Sequence, residues 1–193
     1  MSTFVYHYTD TARLPWILRD RELRPGRNQY GGFPDPDFLW ATTMPIPDAT
    51  ASPAGQKATQ ALREGRTRLV RFTLRADDFC SWPAIVADYP AWTPGEVRRL
   101  EKAAHGKSNP KHWRCRAEAL PRAAWVAVET RGWVDREWRP LDPDAELVNL
   151  GVETGDDCLG VWIGDLAYFS GLIPQANGSV GYTAFAGRQG EAA

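Results

Sequence analysis

Apolar and polar positions along this chain fall into short alternating stretches broken by proline and glycine, the pattern of many strands with a few helices between them. Residues 4–9, Phe-Val-Tyr-His-Tyr-Thr, read as a strand on which His7 shares a face with Val5 and Thr9. Asp10 or Thr11 is then placed to cap a helix running to about Arg21. Its core side carries Leu14, Ile17 and Leu18, and Pro15 lies in its first turn. Residues 24–37 hold three glycines and three prolines and read as a loop, either functional or a solvated connection. Residues 38–43, Phe-Leu-Trp-Ala-Thr-Thr, read as a second strand, and Asp48 to about Gly65 as a weak helix. From Arg68 to Arg75, Leu69, Val70, Phe72 and Leu74 stand against Arg71, Thr73 and Arg75, a strand with one polar face.

The second half begins with a mixed stretch, Asp77–Tyr89, read as a loop with one helical turn. Trp92-Thr93-Pro94-Gly95-Glu96-Val97 is the strongest local signal. Thr93 suits an N-cap, Pro94 the first helical position and Glu96 a capping box, with Trp92 and Val97 set for a hydrophobic staple. That helix should run to about His105, whose charge would suit a helix C-terminus, and end at Gly106. Strands are expected over about 112–120, carrying Glu118, and over 125–130, carrying Glu129, joined at Pro121-Arg122. Residues 132–143 read as loop, and 146–152 and 158–163 as further strands. The Gly-, Ala- and Ser-rich segment from Gly171 is expected to be partly disordered at its end.

A length of 193 residues suits one domain, taken as residues 1–170, with 171–193 as a C-terminal segment. The net charge of −1 provides no global field to gather nucleic acid, and no apolar run is long enough for a membrane helix. The N-terminus lacks the basic and apolar regions of a signal peptide. Three widely spaced cysteines, Cys80, Cys115 and Cys158, fit reduced thiols in a cytoplasmic protein and offer no zinc-binding spacing. Nine tryptophans suit core packing, with an aromatic-lined cleft as the sharper alternative. No nucleophile elbow, P-loop, dinucleotide-binding glycine motif or HExxH is present.

What remains is a strand histidine, a Thr-rich strand end, a basic loop and two late carboxylates. In order, Tyr6-His7-Tyr8-Thr9, Leu14-Pro15-Trp16-Ile17-Leu18, Leu23-Arg24-Pro25-Gly26 and Trp40-Ala41-Thr42-Thr43 resemble small bacterial members of the ADP-ribosyltransferase fold. The segment Arg116-Ala117-Glu118-Ala119-Leu120-Pro121 is similar to the glutamate strand of the DNA-targeting ADP-ribosyltransferase toxins. The resemblance covers residues 4–43 well and 112–130 weakly. It implies an α+β fold with a bent, split, largely antiparallel sheet and flanking helices, binding NAD as substrate and needing no metal.

By the same resemblance, His7 would bond a ribose hydroxyl and Tyr30 would stack on nicotinamide. Thr9, Trp40 and Thr42 would line the NAD site, and Arg24 and Arg27 would face the diphosphate. Glu118, with Glu129 as its rival, would stabilise the cationic sugar as nicotinamide leaves. The acceptor, whether protein, nucleic acid or small molecule, stays open. So does a non-catalytic nucleotide- or partner-binding protein on the same scaffold, for example in bacterial or phage conflict. Without the resemblance, His7 reads as a core histidine, Tyr30 as a packing aromatic, Thr42 as a β-former and both glutamates as exposed strand carboxylates.

Overall fold

A computed structural model describes residues 3–26, 32–47, 56–65, 67–104, 106, 108–144, 147–149, 158–163, 166–174 and 180–188. In chain order the elements are β1 (Phe4–Asp10), α1 (Leu14–Asp20), β2 (Glu22–Leu23), β3 (Leu39–Thr42), α2 (Gln56–Arg63), β4 (Leu69–Arg75), β5 (Cys80–Ser81), α3 (Trp82–Ile85), α4 (Pro94–Ala104), β6 (Trp113–Arg116), β7 (Leu120–Pro121), β8 (Trp125–Arg131), β9 (Arg139–Pro140), β10 (Leu147–Asn149), β11 (Cys158–Ile163), β12 (Leu166–Pro174) and β13 (Val180–Arg188). The class is α+β with mostly antiparallel sheets and few helices. Seven strands hydrogen-bond in the order β5-β6-β3-β1-β4-β8-β9, four in the order β10-β11-β12-β13, and β2 pairs with β7.

The chain divides into two compact units. The first takes in Met1–Tyr8, Glu22–Ala54 and Phe72–Ala127, the second Thr9–Arg21, Gly55–Arg71 and Val128–Ala193.

The core of the first unit is aromatic. Phe38, Trp82, Ile85, Trp92, Ala104, Trp113 and Cys115 are buried together. Rings meet edge-on at Trp82–Trp92 (5.3 Å) and Trp82–Trp113 (5.8 Å), the geometry that ring quadrupoles favour. Helix α4 starts at the predicted Thr93 cap, with the Glu96 amide donating to Thr93 Oγ1 at 3.3 Å, but the capping box does not close: the Glu96 carboxylate accepts from Arg99 at 2.8 Å and the Thr93 amide bonds the Ala91 carbonyl at 3.0 Å. Residues 32–37, read from sequence as loop, are fastened to that helix region. Phe33 stacks on Trp92 with an interplanar angle of 9°, the Trp92 indole donates to the Pro36 carbonyl at 2.9 Å, and the Arg99 guanidinium lies over Phe33 at 4.1 Å.

In the second unit, Leu14, Pro15, Trp16 and Leu18 are the buried residues of α1, with Pro15 in the first turn, where a missing amide costs nothing. This helix lies against β10 and β11. It starts later than the sequence suggests. Asp10 accepts from the Ala12 amide at 3.1 Å and pairs with Arg13 at 2.7 Å, so it closes the turn before the helix and does not cap the helix itself. Thr11 and Arg68 bracket each other, each amide bonded to the other residue at 3.0 Å.

Two expectations change. The strand expected over 112–120 stops at Arg116, because its ladder with β3 ends at Leu39↔Arg116, and Leu120-Pro121 pairs with β2 instead. Glu118 therefore stands on a bend between strands. The stretch 77–89 is more ordered than a loop, since Cys80–Ser81 pairs with β6 and Pro83 opens a helical turn. Within the C-terminal segment, residues 171–174 continue β12 and Val180–Arg188 forms β13, registered along its length on β12. The end of that segment, residues 189–193, where disorder was expected, lies outside the described residues. The helix expected from Asp48 is described from Gln56 onward, and its earlier residues lie outside the described set.

Candidate functional site

Strands β1 and β3 pair antiparallel with Tyr6 opposite Thr42. This brings His7 beside the next strand, and its Nδ1 lies 2.7 Å from the Trp40 carbonyl oxygen. A carbonyl only accepts, so Nδ1 carries the hydrogen and donates, which in the neutral ring leaves Nε2 as the acceptor nitrogen. The imidazole is tilted against Phe72 at 6.1 Å. The Trp40 indole in turn donates to Asp37 Oδ1 at 2.9 Å, and the Phe38 amide donates to the same oxygen at 2.7 Å. Gly26 passes so close to Asp37 that a Cβ there would collide with the carboxylate, which accounts for glycine in Leu23-Arg24-Pro25-Gly26.

Asp37 is a group the sequence did not single out, since one aspartate in a Pro/Asp-rich loop carries no signal. Burial pushes its carboxyl above the ordinary value, against the Trp40 and Phe38 hydrogen bonds that pull it down, and the nearby Asp35 charge adds to the rise. A carboxyl raised in the fold ionises first in the unfolded chain. Its contribution is intact below the unfolded value and is lost as pH rises through the folded one. Asp37→Asn is therefore expected to gain thermal stability relative to wild type on going from about pH 3 to about pH 7. Parallel melting curves whose difference is the same at both pH values would refute this.

The other sequence-predicted residues are placed as follows. Thr42 is buried and its hydroxyl accepts from the Met44 amide at 3.2 Å. Thr9 is buried. Arg24 is exposed and bonds Glu22. Arg27 and Tyr30 lie outside the described residues. Glu118 has a side chain 72% exposed and stands 3.8 Å from Arg116. Glu129, on β8, accepts from Arg71 Nε and Nη2 at 2.9 and 2.6 Å. The Arg71 guanidinium also lies over the Trp138 ring at 4.4 Å. The first unit thus holds His7, Arg24, Trp40, Thr42 and Glu118, and the second holds Thr9 and Glu129. His112, unassigned from sequence, bonds Thr43 Oγ1 at 2.8 Å and fixes the end of β3.

The first unit also carries an open depression of about 260 Å³, lined by Asp77, Asp78, Cys80, Asp88, Tyr89 and Glu118 among others. Four carboxylates face one guanidinium, Arg116, there, which disfavours a diphosphate. No group of His, Cys, Asp and Glu able to hold a metal occurs among the described residues, and no helix among them is long and apolar enough to cross a membrane. Comparison with protein-family models, curated proteins and solved structures returned no match.

Proposed function

We propose that the chain transfers ADP-ribose from NAD to an acceptor, releasing nicotinamide, on a bent and split sheet of the ADP-ribosyltransferase type. The observation that supports this best is the fixed imidazole of His7. Its bond to the Trp40 carbonyl orients the ring, and the acceptor nitrogen suits a ribose hydroxyl. Thr9, Trp40 and Thr42 accompany it in the family pattern, and Arg24 and Arg27 supply positive charge for the diphosphate. Glu118 or Glu129 provides the anion for the oxocarbenium-like transition state. The reading is cytoplasmic, with a protein, nucleic acid or small molecule as acceptor. The near-zero net charge weighs against tight nonspecific nucleic-acid binding.

A second reading, a non-catalytic nucleotide- or partner-binding protein, draws on the two carboxylates. Glu129 is held by two bonds from Arg71, and Glu118 projects from an exposed bend. Glu118 lacks the water-poor setting that sharpens electrostatic stabilisation, and the charge of Glu129 is already engaged by Arg71.

Calorimetric titration with NAD, paired with a nicotinamide-release assay, separates the two. The transferase reading expects saturable binding weakened about tenfold in His7→Ala. It also expects release abolished in either Glu118→Gln or Glu129→Gln with binding retained. Binding without release across candidate acceptors would favour the binder. No saturable binding would end the NAD reading.

A further inference from the structure

We propose that Cys80 and Cys115 form a cross-strand dithiol in the first unit that small disulfides oxidise to an intramolecular disulfide. The two residues stand directly opposite each other where β5 pairs antiparallel with β6. Opposed residues in such a pair have Cα atoms about 4.5 or 5.5 Å apart, and both values lie inside the roughly 4.4–6.8 Å window of disulfides. Their side chains leave the same face of the sheet. Both cysteines line the depression beside Asp78 and Glu118. Both are free thiols in the structure.

Their settings differ in a way that orders the chemistry. Cys80 is exposed, on a two-residue strand at the edge of the sheet. Cys115 is 0% exposed and packs in the aromatic cluster with Trp82 and Trp113. Burial holds its thiol well above the ordinary value, and the Asp37 charge adds to the rise. Cys80 is therefore the attacking thiol and Cys115 the resolving one.

The Cys80 thiolate attacks one sulfur of a small disulfide, forming a mixed disulfide and expelling one small thiolate. The Cys115 thiol then gives up its proton, and its sulfur attacks that of Cys80. The Cys80–Cys115 bond forms, and the second small thiolate leaves. The two cysteines lose two electrons and two protons, and the small disulfide is reduced to two thiols. This reaction is independent of the ADP-ribosyl transfer reading.

The test uses the full native chain and oxidised glutathione as the probe, with remaining thiols then alkylated in acidic denaturant and the protein mapped by mass spectrometry. The expected result is an intact mass lower by two hydrogens before alkylation, then a Cys80–Cys115 peptide with Cys158 alkylated, and quenched tryptophan fluorescence. The thermal midpoint should rise by about 5–10 °C, reversed by reductant. Cys115→Ser should stop at a stable mixed disulfide on Cys80, and in Cys80→Ser the Cys115 thiol should stay unmodified. A lasting mixed disulfide in wild type, a link to Cys158, or no reaction at either thiol would each overturn the proposal. Because wild type carries the decisive readout, a variant that fails to fold leaves the result intact.

Discussion

Trp82→Ala should destabilise the protein by about 3–5 kcal/mol, the range for truncating a large aromatic in a packed core. Trp82 is 0% exposed and is among the largest fully buried side chains. It sits between Phe38, Trp40, Trp92 and Trp113, at 6.2, 5.1, 5.3 and 5.8 Å between ring centroids. Its indole also donates to Glu101 on α4 at 3.0 Å. Alanine would remove the packing of the whole ring, leave a cavity that the neighbouring rings fill poorly, and strip Glu101 of a partner. Trp82→Phe keeps most of the volume and loses the indole donor, and it should cost less, about 1–2 kcal/mol. Urea unfolding of both variants gives the comparison. A cost below about 1 kcal/mol for alanine would mean that this cluster is loosely packed and that another set of residues holds the first unit together.

Arg71→Ala should cost about 2–3 kcal/mol, well beyond an exposed ion pair. Exposed pairs contribute about 0–1 kcal/mol, because water screens them and holding two long side chains together costs entropy. Arg19 and Asp20 are such a pair, at 50% and 21% exposure. Arg71 and Glu129 are 13% and 23% exposed. The guanidinium gives two hydrogen bonds to one carboxylate oxygen and lies against Trp138, where Arg131 also packs at 4.9 Å. Removing the arginine would leave a half-buried carboxylate without its main counter-charge. A double-mutant cycle with Glu129→Gln isolates the pair, and a coupling of at least about 1 kcal/mol is expected. A coupling near zero would reduce the pair to a surface contact and free Glu129 for a catalytic part. The same Glu129→Gln protein, tested for nicotinamide release, then shows whether the carboxylate serves stability, catalysis or both.

Helix α4 was legible because its signals are local. Thr93, Pro94 and Glu96 act within one turn, and the Thr93 cap is in place. Strand β4 was legible because a period of two survives along it, with Val70, Phe72 and Leu74 buried and Arg71 and Thr73 on the other face. Glu118 was misplaced because nothing local says where a strand runs out of partner. That depends on β3, whose ladder with β6 ends at Leu39.

The sequence by itself determined where β1, β3, β4, β8, β10, β11, α1 and α4 lie, though not the long strands β12 and β13, and that strands outnumber helices and tryptophan fills much of the core. These follow from periodicity, caps and side-chain size, each set by residues a few positions apart. Only the tertiary structure decided which side chains meet. His7 reaches the Trp40 carbonyl 33 residues away, and Arg71 grips Glu129 58 residues away. Cys80 faces Cys115 because β5 pairs with β6 in one register. A shift of a single residue would turn every such side chain to the opposite face, and that choice is settled by strand order and the packing of whole faces, which no local pattern encodes.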